Sequence, residues 1–151
     1  MSEQHRILIV DDNVDAAETL AMIIRTWGHD VQIADGFSAM RIAESFRPQT
    51  AIVDLFMPGT DGYTLAQFLR KKFADRITLI ALTGFNRPEN LRRAREAGFD
   101  ETATKPVEPN QMKEYIRISE IAASRAPAIP TSLLANTPVR RERRLDNGRR
   151  R

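Results

Sequence analysis

The sequence predicts an α/β fold in which helices cover both faces of a parallel β-sheet. Short, continuous apolar runs, such as residues 7–10, are typical of strands buried on both sides. Each run precedes a segment whose apolar residues recur at helical spacing, and this alternation continues through residue 125. Strands that alternate with helices in this way pair in parallel and place helices on both faces of the sheet.

The first two strand–helix units follow one another directly. Residues 7–10 form the first predicted strand, and the apolar residues of 14–27 recur with a helical period up to a glycine that suits a helix end. Residues 31–34 alternate between apolar and polar side chains, which predicts an edge strand. A second helix is expected over 38–46, and Pro48 stops it.

The third unit has the longest loop between a strand and its helix. Residues 51–53 predict a strand that ends in Asp54, and residues 55–62 are rich in turn-forming residues. A helix follows from Tyr63. The apolar side chains of this helix that we expect in the core include Phe68, Leu69 and Phe73.

The last two units complete the predicted sheet. Residues 78–82 form an apolar strand that ends in Thr83, and a helix follows over 89–98. A short strand is expected over 101–104 and a final helix over 109–125. The pattern thus gives five strands and five helices.

The predicted domain covers residues 1–125, and residues 126–151 are expected to form a basic, flexible tail. The first segment has a net charge of −2 and the second a net charge of +5. The second segment contains three prolines and no sustained apolar period, which is typical of a chain that does not fold alone.

The composition excludes several classes of function. The chain has no cysteine, which excludes disulfides and thiol catalysis. His5 and His29 lack the spacing of metal ligands, and we expect both at the surface or beside a strand. The apolar run near the N-terminus is too short for a membrane span or signal peptide, so we expect a cytoplasmic protein with no membrane contact.

Polar side chains follow four of the five predicted strands. Asp11 and Asp12 follow the first strand, and Asp54, Thr83 and Lys105 follow the third, fourth and fifth. Chemistry in parallel sheets collects at the carboxyl ends of the strands, so these side chains should converge on one pocket. Each of them has a simpler reading as a helix cap or an exposed polar residue, but their shared position favours a site.

Several carboxylates in one pocket require a positive counter-charge. Two carboxylates about 4 Å apart repel each other by roughly 4 kcal/mol near a protein surface. Lys105 supplies one positive charge, and a divalent cation would supply the rest. Oxygen ligands without His or Cys favour Mg²⁺, which also bridges phosphate oxygens.

The motifs at these strand ends resemble those of bacterial response-regulator receiver domains. They read ILIVDDN, AIVDLFMPGTDGY, ALTG and ATKPV, in the family's order and spacing, and the resemblance covers about residues 6–125. It implies a flavodoxin-like (βα)5 sheet with strand order 2-1-3-4-5. It also implies a non-enzymatic signalling domain that accepts a phosphoryl group onto Asp54 from a histidine kinase or phosphotransfer protein.

The resemblance also implies a role for each site residue. Asp12 would bind Mg²⁺ directly and Asp11 largely through water, together with Asp54 and the backbone carbonyl of Phe56. The residues implied at the phosphoryl group are Thr83 and Lys105, with a cis peptide between Lys105 and Pro106.

Two features depart from the family pattern. Receiver domains usually carry Tyr or Phe three residues before the conserved lysine as a switch, and here that position is Thr102. The positions two residues after the phosphoacceptor and two after the threonine are often polar in the family, whereas here they are Phe56 and Phe85.

The expected function is signalling through protein–protein contacts without an output domain, either as a free-standing regulator or as the receiver of a hybrid kinase. A phosphatase with an aspartyl nucleophile would need Asp at position 13, which is Asn13, and this excludes that class. The alternative is a nucleic-acid-associated regulator that uses the arginines of 126–151. Nucleic-acid binding is not expected, because that segment contains no recognisable folded reader.

Overall fold

The structure is a computed structural model that describes residues 4–85 and 87–125. In this part of the chain the strands are β1 (Arg6–Val10), β2 (Asp30–Ala34), β3 (Thr50–Asp54), β4 (Phe56–Met57), β5 (Thr60–Asp61), β6 (Thr78–Thr83) and β7 (Glu101–Thr104). The helices are α1 (Val14–Arg25), α2 (Ala39–Phe46), α3 (Gly62–Phe73), α4 (Pro88–Ala97) and α5 (Pro109–Arg125), with a short 3-10 turn at Ala74–Arg76.

Five of these strands form one parallel sheet in the order β2-β1-β3-β6-β7. With the short β4–β5 hairpin left out of the count, this is the predicted order 2-1-3-4-5, and the predicted fold class is confirmed. Val53 is paired with Val10 on one side and with Ala81 on the other. The carboxyl ends of the central strands therefore lie side by side.

The sheet separates two apolar cores. Side chains alternate across a strand, so Leu8 and Val10 face one core while Ile7 and Ile9 face the other. Helices α2, α3 and α4 pack in the first core, and α1 and α5 pack in the second. The near-continuous apolar strands are explained by this burial on both faces.

The α3 region differs from the prediction in two ways. The predicted loop 55–62 contains the antiparallel hairpin of β4 and β5, whose two-residue strands have no periodicity to detect. Phe68 is exposed rather than in the core, whereas Leu69 and Phe73 are buried. The buried stripe of α3 passes through Leu65, Leu69 and Phe73, and Phe68 lies outside it.

The expected position of His5 beside a strand is confirmed. It precedes β1 and is buried, and its Nε2 lies 2.7 Å from Thr50 Oγ1 and 3.3 Å from Ser119 Oγ. The His29 ring lies edge-on to it at 5.9 Å. This polar cluster joins β1, β3 and α5 at the amino-terminal end of the sheet, opposite the predicted site.

The predicted tail, residues 126–151, lies outside the described residues. Among the helices that are described, none combines the length and the apolar composition needed to cross a bilayer.

Candidate functional site

The carboxyl ends of β1, β3 and β7 bring three of the predicted side chains together. Lys105 Nζ lies 2.9 Å from Asp54 Oδ2 and 4.0 Å from Asp11 Oδ2. Asp11 and Asp54 are buried, and Lys105 is about one-third exposed. A pocket with two acidic groups and one ammonium is thus built at the strand ends, because parallel pairing aligns them.

Both oxygens of the Asp54 carboxylate are held in place. Oδ2 accepts from Lys105, and Oδ1 accepts a 3.2 Å hydrogen bond from the backbone N–H of Phe56. Asp54 is the last residue of β3, whose backbone is anchored between β1 and β6. The carboxylate therefore has a fixed position and orientation at the mouth of the pocket.

Asp11 is an acid in an unfavourable environment for its charge. Burial raises the pKa of its carboxyl, and the negative charge of Asp54 raises it further. A hydrogen bond from the N–H of Asn13 at 2.9 Å and the charge of Lys105 act in the opposite direction, but the net shift is upward. A single lysine thus leaves the two acids incompletely neutralised, and an additional cation would relieve their repulsion.

Asp12 does not join this pair. Its Oδ1 accepts a 3.1 Å hydrogen bond from the backbone N–H of Gly36, in the loop after β2. Accordingly, residues 4–85 and 87–125 contain no group of three acidic or histidine side chains arranged to hold a metal ion. The oxygen donors fit Mg²⁺ in part: Asp11 and Asp54 offer two carboxylates, and Mg²⁺ usually keeps several waters beside one or two protein carboxylates.

Asn13 follows Asp11 and Asp12 and begins helix α1. Its side-chain Oδ1 accepts from the backbone N–H of Ala16 at 3.1 Å and caps the N-terminus of α1. Its role here is to begin the helix.

Thr83 ends β6 beside the pocket and is buried. Its hydroxyl donates to the carbonyl oxygen of Phe85 at 2.9 Å and accepts from the N–H of the same residue at 3.0 Å. A hydroxyl has only one proton to donate. Thr83 can therefore donate to a ligand oxygen only after it gives up its bond to Phe85.

Strand β7 and the residues directly after it contain two further predicted positions. The Lys105–Pro106 peptide bond is cis. Thr102 lies in β7, and its backbone carbonyl accepts from the hydroxyl of Tyr115 in α5 at 3.2 Å.

Two exposed phenylalanines stand at the rim. The rings of Phe56 and Phe85 meet edge to face at 5.9 Å, and they are 52% and 56% exposed. Phe56 also meets Tyr63 at 6.4 Å, and the guanidinium of Arg93 lies 4.0 Å from the centre of the Tyr63 ring. The sequence identified the two phenylalanines as departures from the family pattern. Tyr63 ends the motif AIVDLFMPGTDGY but was given no role at the site, and Arg93 belongs to none of the four motifs.

A groove of about 580 Å³ opens beside Asp11 and Lys105. It runs along α1 to the loop after β7, and apolar side chains such as Leu20, Ile23 and Val107 form much of its wall.

Comparison with known proteins agrees with this geometry. The sequence model of the response regulator receiver domain matches residues 7–117. The DNA-binding response regulator MtrA of Mycobacterium tuberculosis (strain ATCC 25618 / H37Rv) is 30% identical over 115 residues, which are 76% of this chain and 50% of the relative. The DNA-binding dual master transcriptional regulator RpaA of Synechocystis sp. (strain PCC 6803) is 31% identical over 115 residues, 74% of this chain and 47% of the relative.

The chain spans about half the length of these curated relatives. Among solved structures, a receiver domain protein (CheY-like) from Methanospirillum hungatei JF-1 superposes with a TM-score of 0.76 and 26% identity, covering 82% of this chain and 100% of that one. The receiver domain of Francisella response regulator 1452 gives 0.70 and 26%, covering 81% and 98%.

Proposed function

Because the chain belongs to the response regulator receiver domain family of two-component systems, we propose that Asp54 accepts a phosphoryl group from a histidine kinase or a phosphotransfer protein. One observation carries the proposal: Asp54 is held at the end of β3 by Lys105 at 2.9 Å, next to the buried Asp11. The ammonium can contact the negative oxygens of a phosphoryl group, and the two acids can contact the cation that accompanies it.

The chain's own residues would position and neutralise the transferred group. An oxygen of Asp54 forms the new bond to phosphorus, while the bond from phosphorus to the donor imidazole breaks. The ammonium of Lys105, which contacts Asp54, would also contact the phosphoryl oxygens. The hydroxyl of Thr83 would donate a hydrogen bond to one of these oxygens once its bond to the carbonyl of Phe85 is broken. Positioning and charge neutralisation supply most of the catalysis in phosphoryl transfer.

Mg²⁺ is the proposed cofactor. Asp11, Asp54 and the backbone carbonyl of Phe56 would hold it, and it would neutralise the charge on the phosphoryl oxygens. Oδ1 of Asp12 accepts a hydrogen bond from Gly36. In the part of the chain that the structure describes, the other carboxylate oxygen, Oδ2, accepts none. That oxygen would be free to receive the ion or one of its waters, which keeps Asp12 in the proposed metal set.

The proposed mode of signalling is contact with other proteins through residues 1–125. The groove beside α1 reaches Asp11 and Lys105, so a phosphodonor seated there would bring its phosphoryl group beside Lys105, which contacts Asp54 at 2.9 Å. A downstream protein would then read the phosphorylated domain. The cytoplasmic location and the flexible character of 126–151 stay predictions.

DNA binding is the second candidate function. Both curated relatives are named as DNA-binding regulators, and residues 126–151 carry seven arginines against two acids. Arginines that neutralise phosphates bind DNA with a steep salt dependence. Gel shift of the full chain over a salt series tests this candidate, with a variant cut after Arg125 as the control. Salt-insensitive or absent binding would exclude the arginine-based interaction.

Phosphorylation is tested with a small donor. Incubation with acetyl phosphate and Mg²⁺ should add one phosphoryl group by intact mass, and EDTA or the Asp54→Asn substitution should prevent it. Labelling that is unaffected by EDTA would remove Mg²⁺ from the proposal. Labelling that persists in Asp54→Asn would remove Asp54.

A further inference from the structure

Four side chains form a continuous set of contacts from the proposed phosphoryl site to helix α4. We call this set the aromatic bridge, and its members are Phe85, Phe56, Tyr63 and Arg93. Successive members meet at 5.9 Å and 6.4 Å between ring centres and at 4.0 Å between guanidinium and ring. Both ring pairs meet edge to face, with interplanar angles of 85° and 82°, which is a favoured geometry for aromatic side chains.

The near end of the bridge is attached to the two residues that must rearrange on phosphorylation. The N–H of Phe56 donates to Asp54 Oδ1, and the backbone of Phe85 exchanges two hydrogen bonds with the hydroxyl of Thr83. A phosphoryl group bonded to one carboxylate oxygen of Asp54 removes the negative charge of the carboxylate, which weakens the hydrogen bond from the N–H of Phe56. Donation by Thr83 to that group ends its donation to the carbonyl oxygen of Phe85. Both phenylalanines would therefore lose a restraint in the same event.

The middle of the bridge is held by packing. Tyr63 is buried, and among the described residues its hydroxyl has no hydrogen-bond partner. No polar contact from these residues fixes the ring, and because it is closely packed it transmits a displacement of Phe56 on one side to Arg93 on the other.

The far end is an ion pair between helices. Arg93, in α4, lies 3.7 Å from Asp61 Oδ2, and Asp61 caps α3 by accepting from the N–H of Tyr63 at 3.0 Å. Arg93 and Asp61 are largely exposed. At exposed sites a cation–π contact and an ion pair are of similar, small strength, and each changes the population of a side-chain position by roughly a factor of a few. A movement of Tyr63 that weakens its contact with Arg93 is therefore sufficient to change the preferred position of Arg93.

We propose that the aromatic bridge couples the phosphorylation state of Asp54 to the Arg93–Asp61 ion pair, so that phosphorylation repositions α4 relative to α3. The inference rests on the proposed function of Asp54. Residues 101–104 contain no aromatic side chain, so β7 does not provide this connection. Coupling of this kind is reciprocal: a change at Arg93 must alter the affinity of the site for a phosphoryl group.

The direct test follows the Nε–Hε signal of Arg93 by NMR, identified with the Arg93→Lys variant. Acetyl phosphate and Mg²⁺ are added, and intact mass of the same sample gives the phosphorylated fraction. In the unaltered chain we expect the signal to move in proportion to that fraction. In Phe56→Leu and Phe85→Leu the movement per phosphorylated molecule should fall by about half or more, since the ring contacts are lost. Phe37→Leu, which alters an exposed ring outside the bridge, should leave it unchanged.

The outcomes separate the two proposals. Absence of phosphorylation in the unaltered chain defeats the proposed function and with it the coupling. Phosphorylation with a silent Arg93 signal, or with an equal movement in Phe56→Leu and Phe85→Leu, defeats the coupling alone.

The reciprocal test uses Arg93→Gln and measures the affinity for beryllofluoride with Mg²⁺, an equilibrium mimic of the phosphoryl group. The affinity should change by about two- to fivefold, the range expected for one cation–π contact. Arg92→Gln removes the same charge from the same helix and should have no such effect. Equal affinities for Arg93→Gln and Arg92→Gln would overturn the coupling.

Discussion

At the scale of single residues, we predict that Phe56 and Phe85 restrict the path of water to Asp54. Hydrolysis of a phosphorylated Asp54 requires a water in line with the phosphorus, opposite the carboxylate oxygen. Polar side chains at these positions would orient that water by hydrogen bonds, whereas the two rings meet each other at 5.9 Å and offer none. A loss of about 1.4 kcal/mol of transition-state stabilisation slows a reaction roughly tenfold. We therefore expect a long-lived phosphoryl group.

The prediction is tested with Phe56→Asn and Phe85→Glu, singly and together. Loss of the phosphoryl group, followed by intact mass after the donor is removed, should be about tenfold faster in the double variant. Phe37→Asn places a polar group at another exposed phenylalanine and serves as the control. If the double variant decays no faster than the unaltered chain, the rings do not exclude water and instead belong to a docking surface.

His5 gives the fold a pH dependence that is independent of the phosphoryl site. Burial, with smaller contributions from the charges of His29 and Arg6, lowers the pKa of His5 from 6.5 to about 4. Between these values the unfolded chain binds more protons than the folded chain, so the stabilisation is complete above about pH 6.5 and is lost as the pH falls toward 4.

We expect the free energy of unfolding to fall by about 2 to 3 kcal/mol over that interval because of His5 alone. Urea titrations at a series of pH values measure it, with His5→Gln as the matched variant that keeps a hydrogen-bonding side chain. The slope of stability against pH should be smaller for His5→Gln. If the free energy of unfolding changes with pH equally in both proteins, protonation of His5 is not the cause of the change.

At the scale of elements, the start of α3 depends on a glycine. A Cβ on Gly62 would lie 2.6 Å from the backbone oxygen of Asp54 and 2.8 Å from the Cα of Leu55, and both are backbone atoms that cannot turn aside. The close approach of α3 to the end of β3 is therefore possible only without a side chain at this position. The same contact fixes the backbone that carries the proposed phosphoacceptor.

Gly62→Ala should lower the free energy of unfolding by about 2 kcal/mol, since overpacking forces the backbone to shift. Chemical denaturation measures the change. Gly84→Ala is the control, because among the described residues no atom lies within 4 Å of a Cβ at Gly84. A cost for Gly62→Ala no larger than for Gly84→Ala would mean that α3 adjusts freely.

The elements of the sheet could be predicted because each central strand is buried on both faces, which requires a continuous apolar run. The run at 7–10 and the run ending at Asp54 therefore identify β1 and β3 without ambiguity. The hairpin of β4 and β5 could not be predicted, since two-residue strands show no period. The prediction that Phe68 lies in the core was wrong, because in sequence an apolar residue next to the buried stripe of a helix cannot be distinguished from a residue within that stripe.

The candidate site was partly predictable for the same reason. Parallel strands bring their carboxyl ends together, so the proximity of Asp11, Asp54 and Lys105 follows from their places after apolar runs. The hydrogen bond between Asp12 and Gly36 joins residues from different loops, and no local pattern marks it. The burial of His5 likewise depends on Thr50 and Ser119, which are distant in sequence.

At the scale of the whole molecule, charge is divided between two segments. Residues 1–125 have a net charge of −2 and residues 126–151 a net charge of +5. From its low apolar content we predict that the second segment does not contribute to the stability of the domain. We therefore expect truncation after Arg125 to leave the thermal midpoint within about 2 °C of the full chain, since 1 kcal/mol corresponds to a shift of several degrees. Differential scanning calorimetry gives the answer, and a fall of several degrees would indicate that Leu133 and Leu134 dock on the domain.

The central claim is that one carboxylate of the acidic pocket, that of Asp54, receives the phosphoryl group. Borohydride reduction tests it most directly, because it converts an aspartyl phosphate to homoserine and leaves free aspartates unchanged. The chain is incubated with acetyl phosphate and Mg²⁺, reduced, digested and sequenced by tandem mass spectrometry. We expect homoserine at position 54 and unmodified aspartate at Asp11 and Asp12. Homoserine at Asp11 or Asp12, or at none of the three in a chain that has gained a phosphoryl group by mass, would contradict it.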